Sequence, residues 1–342
     1  MAGAPLIMAK RYNRRSTRPI EDLPNLFAGA ESAVEASFEI NGGESAAPAK
    51  SGADEFVVDE RYSRRPSCLR FISFGSGSSG NSSYVGTPEC GLIIDGGVDN
   101  NFVTAELARN GIDMKTIRGI LLTHDHADHV RYSYALLRRN PHMRLYCTPR
   151  TIEGVLRRHN ISRRISEYHS PIYKEHEYTF GDITVVPFET SHDGTDNVGF
   201  SFTHGDTRFV LATDMGVITE RADHYMRLAN ALMIESNYDD QMLDNGKYPE
   251  YLKARIRSPR GHMSNADTAR YLTDTYRTSL SHIFLCHLSD DNNTPETAIA
   301  TVLNALRSIA VRPAPSSAEI PAGSVYLSAL PRFRSSELYI LG

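Results

Sequence analysis

Residues 118–129 have the sequence RGILLTHDHADH, in which an apolar run leads directly into three histidines and two aspartates. The apolar run predicts a short buried strand. In an extended strand end, side chains two residues apart point the same way, so His124 and His126 can be directed at one point. Asp128 and His129 follow where the chain turns into a helix, and they can be directed at a second point close by. Because imidazole and carboxylate groups suit Zn²⁺ or a similar metal, this stretch predicts a metal site.

Further residues of metal-binding type stand at the ends of other predicted strands. They are Asp95 after GLII, His192 after ETS, Asp214 after LAT and His287 after FLC. Sites in α/β folds tend to be assembled at the carboxyl ends of the strands. We therefore expect these four side chains to lie close to the histidine-rich stretch.

The order of predicted elements indicates an α/β protein built as an αββα sandwich, in which two mixed sheets are flanked by helices. Strands are predicted at 70–74, from 84 onward, and at 91–97, 118–124, 143–148, 183–188, 199–204, 208–214, 231–237, 282–287, 324–330 and 336–341. Helices are predicted at 102–112, 131–139, 150–159, 265–276 and 295–308.

Composition excludes several protein classes. The chain has 342 residues, of which 40% are hydrophobic and 23% charged, as is typical of globular proteins. It has no run of about 18 apolar residues, so no membrane-spanning helix is predicted, and the N-terminus lacks the apolar segment of a secretory signal. The four cysteines form no C-x-x-C pair, which predicts reduced thiols and a cytoplasmic location.

Residues 1–66 differ in character from the rest of the chain. They are rich in Ala, Ser, Gly, Glu and Arg and have no sustained hydrophobic period. Such a composition cannot bury enough apolar surface to order itself, so it predicts a flexible, disordered N-terminal extension. Residues 67–342 are expected to form a single domain.

Two basic segments are candidates for binding a substrate. Residues 131–167 contain nine arginines and two glutamates, a local balance of +7 in a chain of net charge −4. A solvated face would account for this run, but its position after the metal motif favours contacts with phosphate groups. Residues 253–265 form the second segment and include Arg260 and His262, where His262 is either a ligand or a structural histidine ahead of a helix.

The Gly/Ser run GSGSSGNSS at residues 75–83 has two readings. Its backbone amides can form a cradle for an anion, with Asn81 as its one amide side chain, or the run can be a plain hairpin turn. Glu235, at the end of a predicted strand, is expected to support the site rather than to catalyse.

Six short motifs together resemble the metallo-β-lactamase fold superfamily, and most closely its YycJ/WalJ (VicX) family of bacterial metallohydrolases. They are FGSGSSGN (74–81), THDHADH (123–129), SHD (191–193), ATDMG (212–216), GHMSN (261–265) and HLSDDNNTPE (287–296). The resemblance covers about residues 70–342. The 47 residues between Asp214 and His262 leave no room for the additional domain of the β-CASP ribonucleases. Tyr238 departs from the pattern, since histidine is expected there in many relatives.

The resemblance implies two divalent metal ions per chain, with Zn²⁺ favoured and Mn²⁺ or Fe²⁺ as alternatives. The first ion would be held by His124, His126 and His192, and the second by Asp128, His129 and His287. Asp214 would bridge the two ions, and Asp95 would orient one of the ligating histidines.

The implied activity is that of a phosphodiesterase acting on nucleic acid, most closely a 5′→3′ DNA exonuclease in which a metal-bridging hydroxide attacks phosphorus. Asp128 and Asp214 would act through the metals. His262 would contact the scissile phosphate and protonate the leaving oxygen, and Asn81 and Arg260 would contact substrate phosphate.

Two alternatives remain open at this point. The same ligands would serve a hydrolase of a small ester, thioester or lactone, a substrate that needs no excess of arginine. A non-catalytic, metal-stabilised regulatory partner is the other alternative. No protein partner is indicated, and no membrane association is expected.

Overall fold

The strands form in the apolar segments of residues 68–342, the part of the chain that this computed structural model describes. In chain order they are β1 Leu69–Gly75, β2 Ser82–Gly86, β3 Gly91–Ile94, β4 Ile117–Leu121, β5 Arg144–Cys147, β6 His169–Pro171, β7 Tyr178–Phe180, β8 Ile183–Glu189, β9 Val198–His204, β10 Thr207–Ala212, β11 Ala231–Glu235, β12 His282–Cys286, β13 Arg312–Pro313, β14 Ser324–Ala329 and β15 Tyr339–Leu341. The extension predicted for residues 1–66 lies outside the described residues.

Helices connect these strands, and six of the nine described α-helices begin after a residue whose side chain caps the first turn. They are α1 Asn100–Arg109, α2 Ala127–Val130, α3 Ser133–Arg139, α4 Pro149–Arg158, α5 Glu220–Met226, α6 Asp240–Asn245, α7 Glu250–Ile256, α8 Asn265–Thr275 and α9 Pro295–Ser308, with 3₁₀ turns at Met114–Thr116 and Arg163–Tyr168. Thr294 shows why α9 begins where it does: its hydroxyl accepts from the Thr297 amide, and Pro295 occupies the first turn.

The strands form two sheets. The first has the order β15-β1-β2-β3-β4-β5-β6, with β3 to β6 parallel. The second has the order β13-β14-β12-β11-β10-β9-β8-β7, with β10, β11, β12 and β14 parallel. Because parallel strands run in the same direction, their carboxyl ends lie along one edge of each sheet.

Alternation along the central strands explains how each sheet is covered on both faces. In β3, Leu92 and Ile94 belong to the core between the sheets, whereas Ile93 belongs to a cluster with the outer helices. In β10, Phe209 lies in the core between the sheets and Val210 packs toward the helices of the second sheet. Strands buried on both faces need continuous apolar runs, which these segments have.

Aromatic rings join the two sheets at the centre of the molecule. The ring centroid of Phe71 in β1 lies 4.8 Å from that of Phe209 and 5.0 Å from that of Phe284 in β12. These tilted contacts fill the space between the sheets. The predicted αββα sandwich is therefore confirmed.

The strands and helices predicted for the core are present. The structure also contains several peripheral elements that the sequence did not predict. The unpredicted elements are β6, β7, β13 and the helices α5, α6 and α7. Among the described residues, no helix combines the length and the apolar character needed to cross a membrane.

Candidate active site

The predicted ligands lie together at the edge where strands of both sheets end. His124 and His126 follow β4, and Asp128 and His129 stand in the short helix α2. The remaining three follow strands of the second sheet: His192 after β8, Asp214 after β10 and His287 after β12.

Left-handed backbone turns three of the predicted residues toward the site. Asp95, Asp214 and His287 have φ angles of 59°, 55° and 54°, and the other non-glycine residues with positive φ in the described chain are Glu175 and Ala310. Such values are uncommon outside glycine, and they persist where the surrounding structure holds them in place.

The first predicted group is assembled as a set of three imidazoles. One nitrogen each of His124, His126 and His192 lies within 4.8 Å of the others. Nε2 of His192 is 3.3 Å from Nδ1 of His126. Burial, reinforced by the neighbouring histidines, holds the pKa of His124 well below its usual value, which keeps this imidazole in the neutral form that binds metals.

The second predicted group places a carboxylate between two imidazoles. One donor atom each of Asp128, His129 and His287 lies within 4.8 Å of the others. Oδ2 of Asp128 is 3.5 Å from Nε2 of His129 and 3.7 Å from Nε2 of His287. The two groups therefore lie side by side and use different donors.

Asp214 lies between the groups and faces members of both. Its Oδ1 is 3.8 Å from Nε2 of His192 and 3.4 Å from Nε2 of His287, and its Oδ2 is 3.5 Å from Nε2 of His129. The hydroxyl of Thr213 donates to Oδ2 at 2.8 Å and fixes the carboxylate. Asp214 therefore lies close to donors from both groups.

Unpaired buried nitrogens support metal binding at this edge. Nε2 of His124 and Nε2 of His287 have no hydrogen-bond partner among the described residues, although both atoms are buried. Buried polar atoms are normally paired, so two such atoms in one cluster fit coordination of a cation.

The carboxylates of the cluster also favour positive charge. Asp128, Asp95 and Asp214 raise the pKa of His129 well above its usual value, although burial of the ring lowers that pKa.

Asp95 holds His129 from behind. Its Oδ2 lies 2.7 Å from Nδ1 of His129, and the amide and hydroxyl of Thr123 donate to the same carboxylate at 2.8 and 2.9 Å. With Nδ1 engaged, Nε2 of His129 is the nitrogen left to face Asp128 and Asp214. A carboxylate behind a ligating histidine fixes its tautomer and orientation.

Glu235 supports the opposite side of the cluster. Its Oε1 lies 2.6 Å from Nδ1 of His262 and 3.0 Å from Nδ1 of His287, and its Oε2 accepts from the Met215 amide at 2.7 Å. The His262 ring is only partly buried, and its centroid is 5.1 Å from that of His192 and 5.2 Å from that of His287. His262 therefore stands at the open side of the candidate ligands.

Asp193 plays a comparable part behind His126, and sequence reasoning gave it no role. Its Oδ1 is 3.2 Å from Nε2 of His126, and its Oδ2 accepts from Nε and Nη2 of Arg255 at 2.9 and 2.5 Å. Although burial opposes it, the neighbouring His126, His192 and Arg255 hold the pKa of Asp193 well below its usual value. The available signal was its position directly after His192 in the motif SHD.

Asp125 is a second residue that sequence reasoning missed. It is fully buried, and it accepts hydrogen bonds from the amide and hydroxyl of Thr195 at 2.9 and 2.5 Å. Nε of Arg158 lies 3.5 Å away, and Arg157 donates to the Thr195 hydroxyl at 3.1 Å. Asp125 therefore ties the loop after β4 to the loop that follows His192.

The residues predicted to contact phosphate have different surroundings. Asn81 is buried, and its Nδ2 donates to Oδ2 of Asp128 and to the Gly77 carbonyl, both at 3.0 Å. This placement makes Asn81 a support for Asp128, while its contact with phosphate stays a prediction. Arg260 is exposed, and its Nε donates to the His192 carbonyl at 3.2 Å.

Tyr238, the position that departs from the family pattern, is buried beside this loop. It forms an isolated backbone bridge with Ser264, two residues after His262. Burial raises the pKa of its hydroxyl to about 12, so the phenol stays protonated at neutral pH.

Comparisons with known proteins agree with this fold. The sequence pattern of the beta-lactamase superfamily domain matches residues 92–284. Exodeoxyribonuclease YycJ of Bacillus anthracis is 34% identical over 238 residues, which are 70% of this chain and 89% of that protein. Exodeoxyribonuclease WalJ of Streptococcus pneumoniae is 33% identical over 238 residues, covering 70% of this chain and 88% of that protein.

Among solved structures, the metallo-β-lactamase fold protein YhfI from Bacillus subtilis superposes with a TM-score of 0.56 at 13% identity, covering 80% of this chain and 99% of that one. The likeness at this low identity concerns the fold. The sequence matches reach further, because they extend over most of both proteins. The chain is therefore an enzyme of the β-lactamase superfamily of metal-dependent hydrolases, and it belongs to the YycJ/WalJ family.

Proposed function

We propose that this enzyme is a dinuclear metal-dependent exodeoxyribonuclease that digests DNA in the 5′→3′ direction. The observation that carries the proposal is the pair of three-donor groups with Asp214 between them. Two cations a few ångströms apart are suited to stabilising both the attacking and the leaving oxygen of a phosphodiester. Because the donors mix imidazole and carboxylate, Zn²⁺ is favoured and Mn²⁺ or Fe²⁺ are alternatives.

DNA as the substrate is supported from two sides. The relatives from B. anthracis and S. pneumoniae are both named exodeoxyribonucleases. The segment 131–167, with its balance of +7, begins two residues after His129 and ends in exposed arginines at positions 163 and 164. Such a surface contacts the phosphate backbone without reading sequence.

The chain's own residues divide the chemistry between them. When bound, the metal ions would lower the pKa of water and neutralise charge on the phosphate. Glu235 holds Nδ1 of His262, which leaves Nε2 free to give a proton to the leaving oxygen. Asp95 lies against Nδ1 of His129 and Asp193 lies against Nε2 of His126, and each carboxylate would hold its ring in place when a metal ion is bound.

We further propose that the enzyme works in the cytoplasm. All four cysteines, Cys68, Cys90, Cys147 and Cys286, are free thiols. Burial raises the pKa of the three in the interior, which makes them inert there.

The test is digestion of one DNA strand labelled at either end. Protein stripped by a chelator is reloaded with Zn²⁺, Mn²⁺ or Fe²⁺ and mixed with a 5′-labelled or 3′-labelled oligonucleotide, and with RNA of the same sequence. We expect the 5′ label to be released as a mononucleotide at once, while the 3′-labelled strand shortens stepwise.

The matched variants are His124→Gln, which removes a candidate ligand, and His142→Gln, which changes an exposed histidine whose ring contacts the Met114 carbonyl. The first should abolish digestion and the second should leave it unchanged. Release of the 3′ label first would reverse the polarity. Hydrolysis of small esters without cleavage of any nucleic acid would overturn the proposal.

A further inference from the structure

The connection between β14 and β15, residues 330–338, exposes a large aromatic side chain. Phe333 is 69% exposed, more than any other large apolar side chain of the described chain. A single exposed apolar residue needs no explanation on most of a protein surface. The position of Phe333 is what gives its exposure meaning.

Residues next to Phe333 are fixed to both loops that support the candidate ligands. The carbonyl of Pro331 accepts from the Ser76 amide at 3.1 Å, and the Ser76 hydroxyl accepts from the His287 amide at 2.9 Å. Nη1 of Arg332 donates to the carbonyl of Leu288, the residue after His287. The segment is therefore anchored at the rim of the site.

Arg332 also lies against the Gly/Ser turn that follows β1. Its Nη2 donates to the Ser78 hydroxyl at 2.8 Å, and a Cβ at Gly77 would come within 3.1 Å of its side chain. The Gly77 carbonyl accepts from Asn81, whose amide also reaches Asp128. A side chain at position 77 would crowd Arg332, and residues with side chains rarely adopt the φ of +156° found there, so glycine lets the turn and the arginine form one surface beside a candidate ligand.

The aromatic ring has cationic neighbours on both sides in the chain. The guanidinium carbon of Arg332 is 5.4 Å from the Phe333 ring centroid, while Nε of Arg332 lies 3.6 Å from the exposed Asp290 carboxylate. Arg334 is exposed and makes no ion pair with another described residue. An exposed ring flanked by arginines combines the two features that bind single-stranded nucleic acid, a stacking face and positive charge.

We propose that Phe333 is a stacking platform for a base of the DNA strand that enters the site, with Arg334 facing its backbone. The inference rests on the proposed nuclease function. It adds a binding site for a base, because the groups described at the candidate active site are suited to binding phosphate. The platform accepts any base, because every base offers a flat face. It therefore favours single-stranded ends without selecting a sequence.

The test compares binding of two fluorescent oligonucleotides by anisotropy, one of normal sequence and one with abasic positions in place of its bases. Phe333→Ala should weaken binding of the normal oligonucleotide by roughly 5- to 100-fold, the range expected for loss of one stacked base. It should leave binding of the abasic strand unchanged, and Phe333→Trp should retain wild-type affinity. Leu228→Ala is the control, because Leu228 is an exposed apolar residue just before β11, at the end of the sheet opposite the ligands.

Equal binding of the normal strand by wild type and Phe333→Ala would overturn the platform, and so would an equal loss on the abasic strand. Arg334→Ala should weaken both strands equally, with Arg277→Ala as the exposed control at the end of α8. If wild type binds DNA in a Phe333-dependent way and cleaves none of it with any metal, the proposed nuclease function fails and the platform stands.

Discussion

The two sheets contribute to the candidate site in different ways. The first sheet supplies four donors from a single stretch of six residues, 124–129, immediately after β4. The second sheet supplies three donors from three separate strand ends spread over residues 192–287. A local motif therefore provides the donors of the first sheet. The donors of the second sheet come together only when β8, β10 and β12 are aligned.

This difference teaches which interactions hold each side in place. Around the stretch 124–129, the candidate ligand His129 is fixed by Asp95, the residue after the adjacent strand β3. On the second sheet, the support crosses long distances in sequence, as between Asp193 and Arg255, 62 residues apart. Because different contacts hold the donors of the two sheets, we expect substitutions beside them to differ in their effect on metal binding and turnover.

Asp214→Ala should have the largest effect, because Asp214 faces donors from both sheets. We expect activity on DNA to fall by more than about 100-fold, with loss of bound metal. Asp95→Ala should cost about 10–100-fold, the usual effect of removing a carboxylate behind a ligand. Both residues have left-handed φ, so alanine adds similar backbone strain at each. Turnover and metal content by atomic absorption measure the two losses.

Equal loss in these two variants, with both metals retained in Asp214→Ala, would contradict a bridging position for Asp214. It would also remove the reason for treating Asp214 as the residue that joins the two sheets' contributions.

Asp193→Asn should weaken metal binding where a residue from the second sheet's side, Asp193, supports a candidate ligand from the first, His126. The amide no longer provides a full charge at Nε2 of His126 or beside the guanidinium of Arg255. We expect about 10–100-fold lower metal affinity in a chelator competition. Asp206→Asn is the control, since Asp206 is exposed in the turn between β9 and β10. Wild-type affinity in Asp193→Asn would refute this role.

Arg163→Ala with Arg164→Ala should change only the binding of DNA. Both residues are exposed, and Arg164 pairs only with Glu167 among the described residues, so their loss should leave turnover of bis-p-nitrophenyl phosphate near wild type. The slope of log affinity for a DNA duplex against log salt should shrink by up to about 0.9 per lost contact. Arg157→Ala with Arg158→Ala is the contrasting pair, because these two arginines contact the loops that carry site residues.

The contrasting pair should reduce turnover of the small substrate as well. If instead the change at positions 163 and 164 lowers small-substrate turnover and leaves the salt slope intact, those arginines shape the metal site and the proposed DNA surface lies elsewhere.

A truncation that begins at Ser67 should have the smallest effect of all. The candidate ligands, and the supporting residues identified among the described residues, lie within residues 68–342. We therefore expect soluble protein with the same metal content and the same turnover as the full chain. Loss of soluble protein or of metal would show that residues 1–66 contribute to the fold or to the site.

The sequence predicts those parts of the molecule whose signal is local. The stretch 118–129 predicts both a strand and a cluster of donors, because four donors fall within six residues. The strands of the core follow from continuous apolar runs, and α9 follows from Thr294 and Pro295 at its start. In each case one window of sequence contains the whole physical reason.

The parts that escaped prediction depend on contacts between distant residues. Asp125 accepts from Thr195, 70 residues away, and no pattern around Asp125 distinguishes it from a solvent-exposed loop aspartate. The helices α5, α6 and α7 have six or seven residues each, too short to display a clear hydrophobic period. The helix α5 packs on β8 and β10, and this contact between distant parts of the chain is not displayed locally in the sequence.

The left-handed backbone at Asp95, Asp214 and His287 also bears on how such a site can change its chemistry. Among residues with side chains, Asn, Asp and His adopt this conformation most readily, and β-branched residues do so least. The amino acids that tolerate these strand ends are thus largely those that bind cations. One of them can replace another with little rebuilding of the backbone, so the fold permits its metal preference to be retuned by single substitutions.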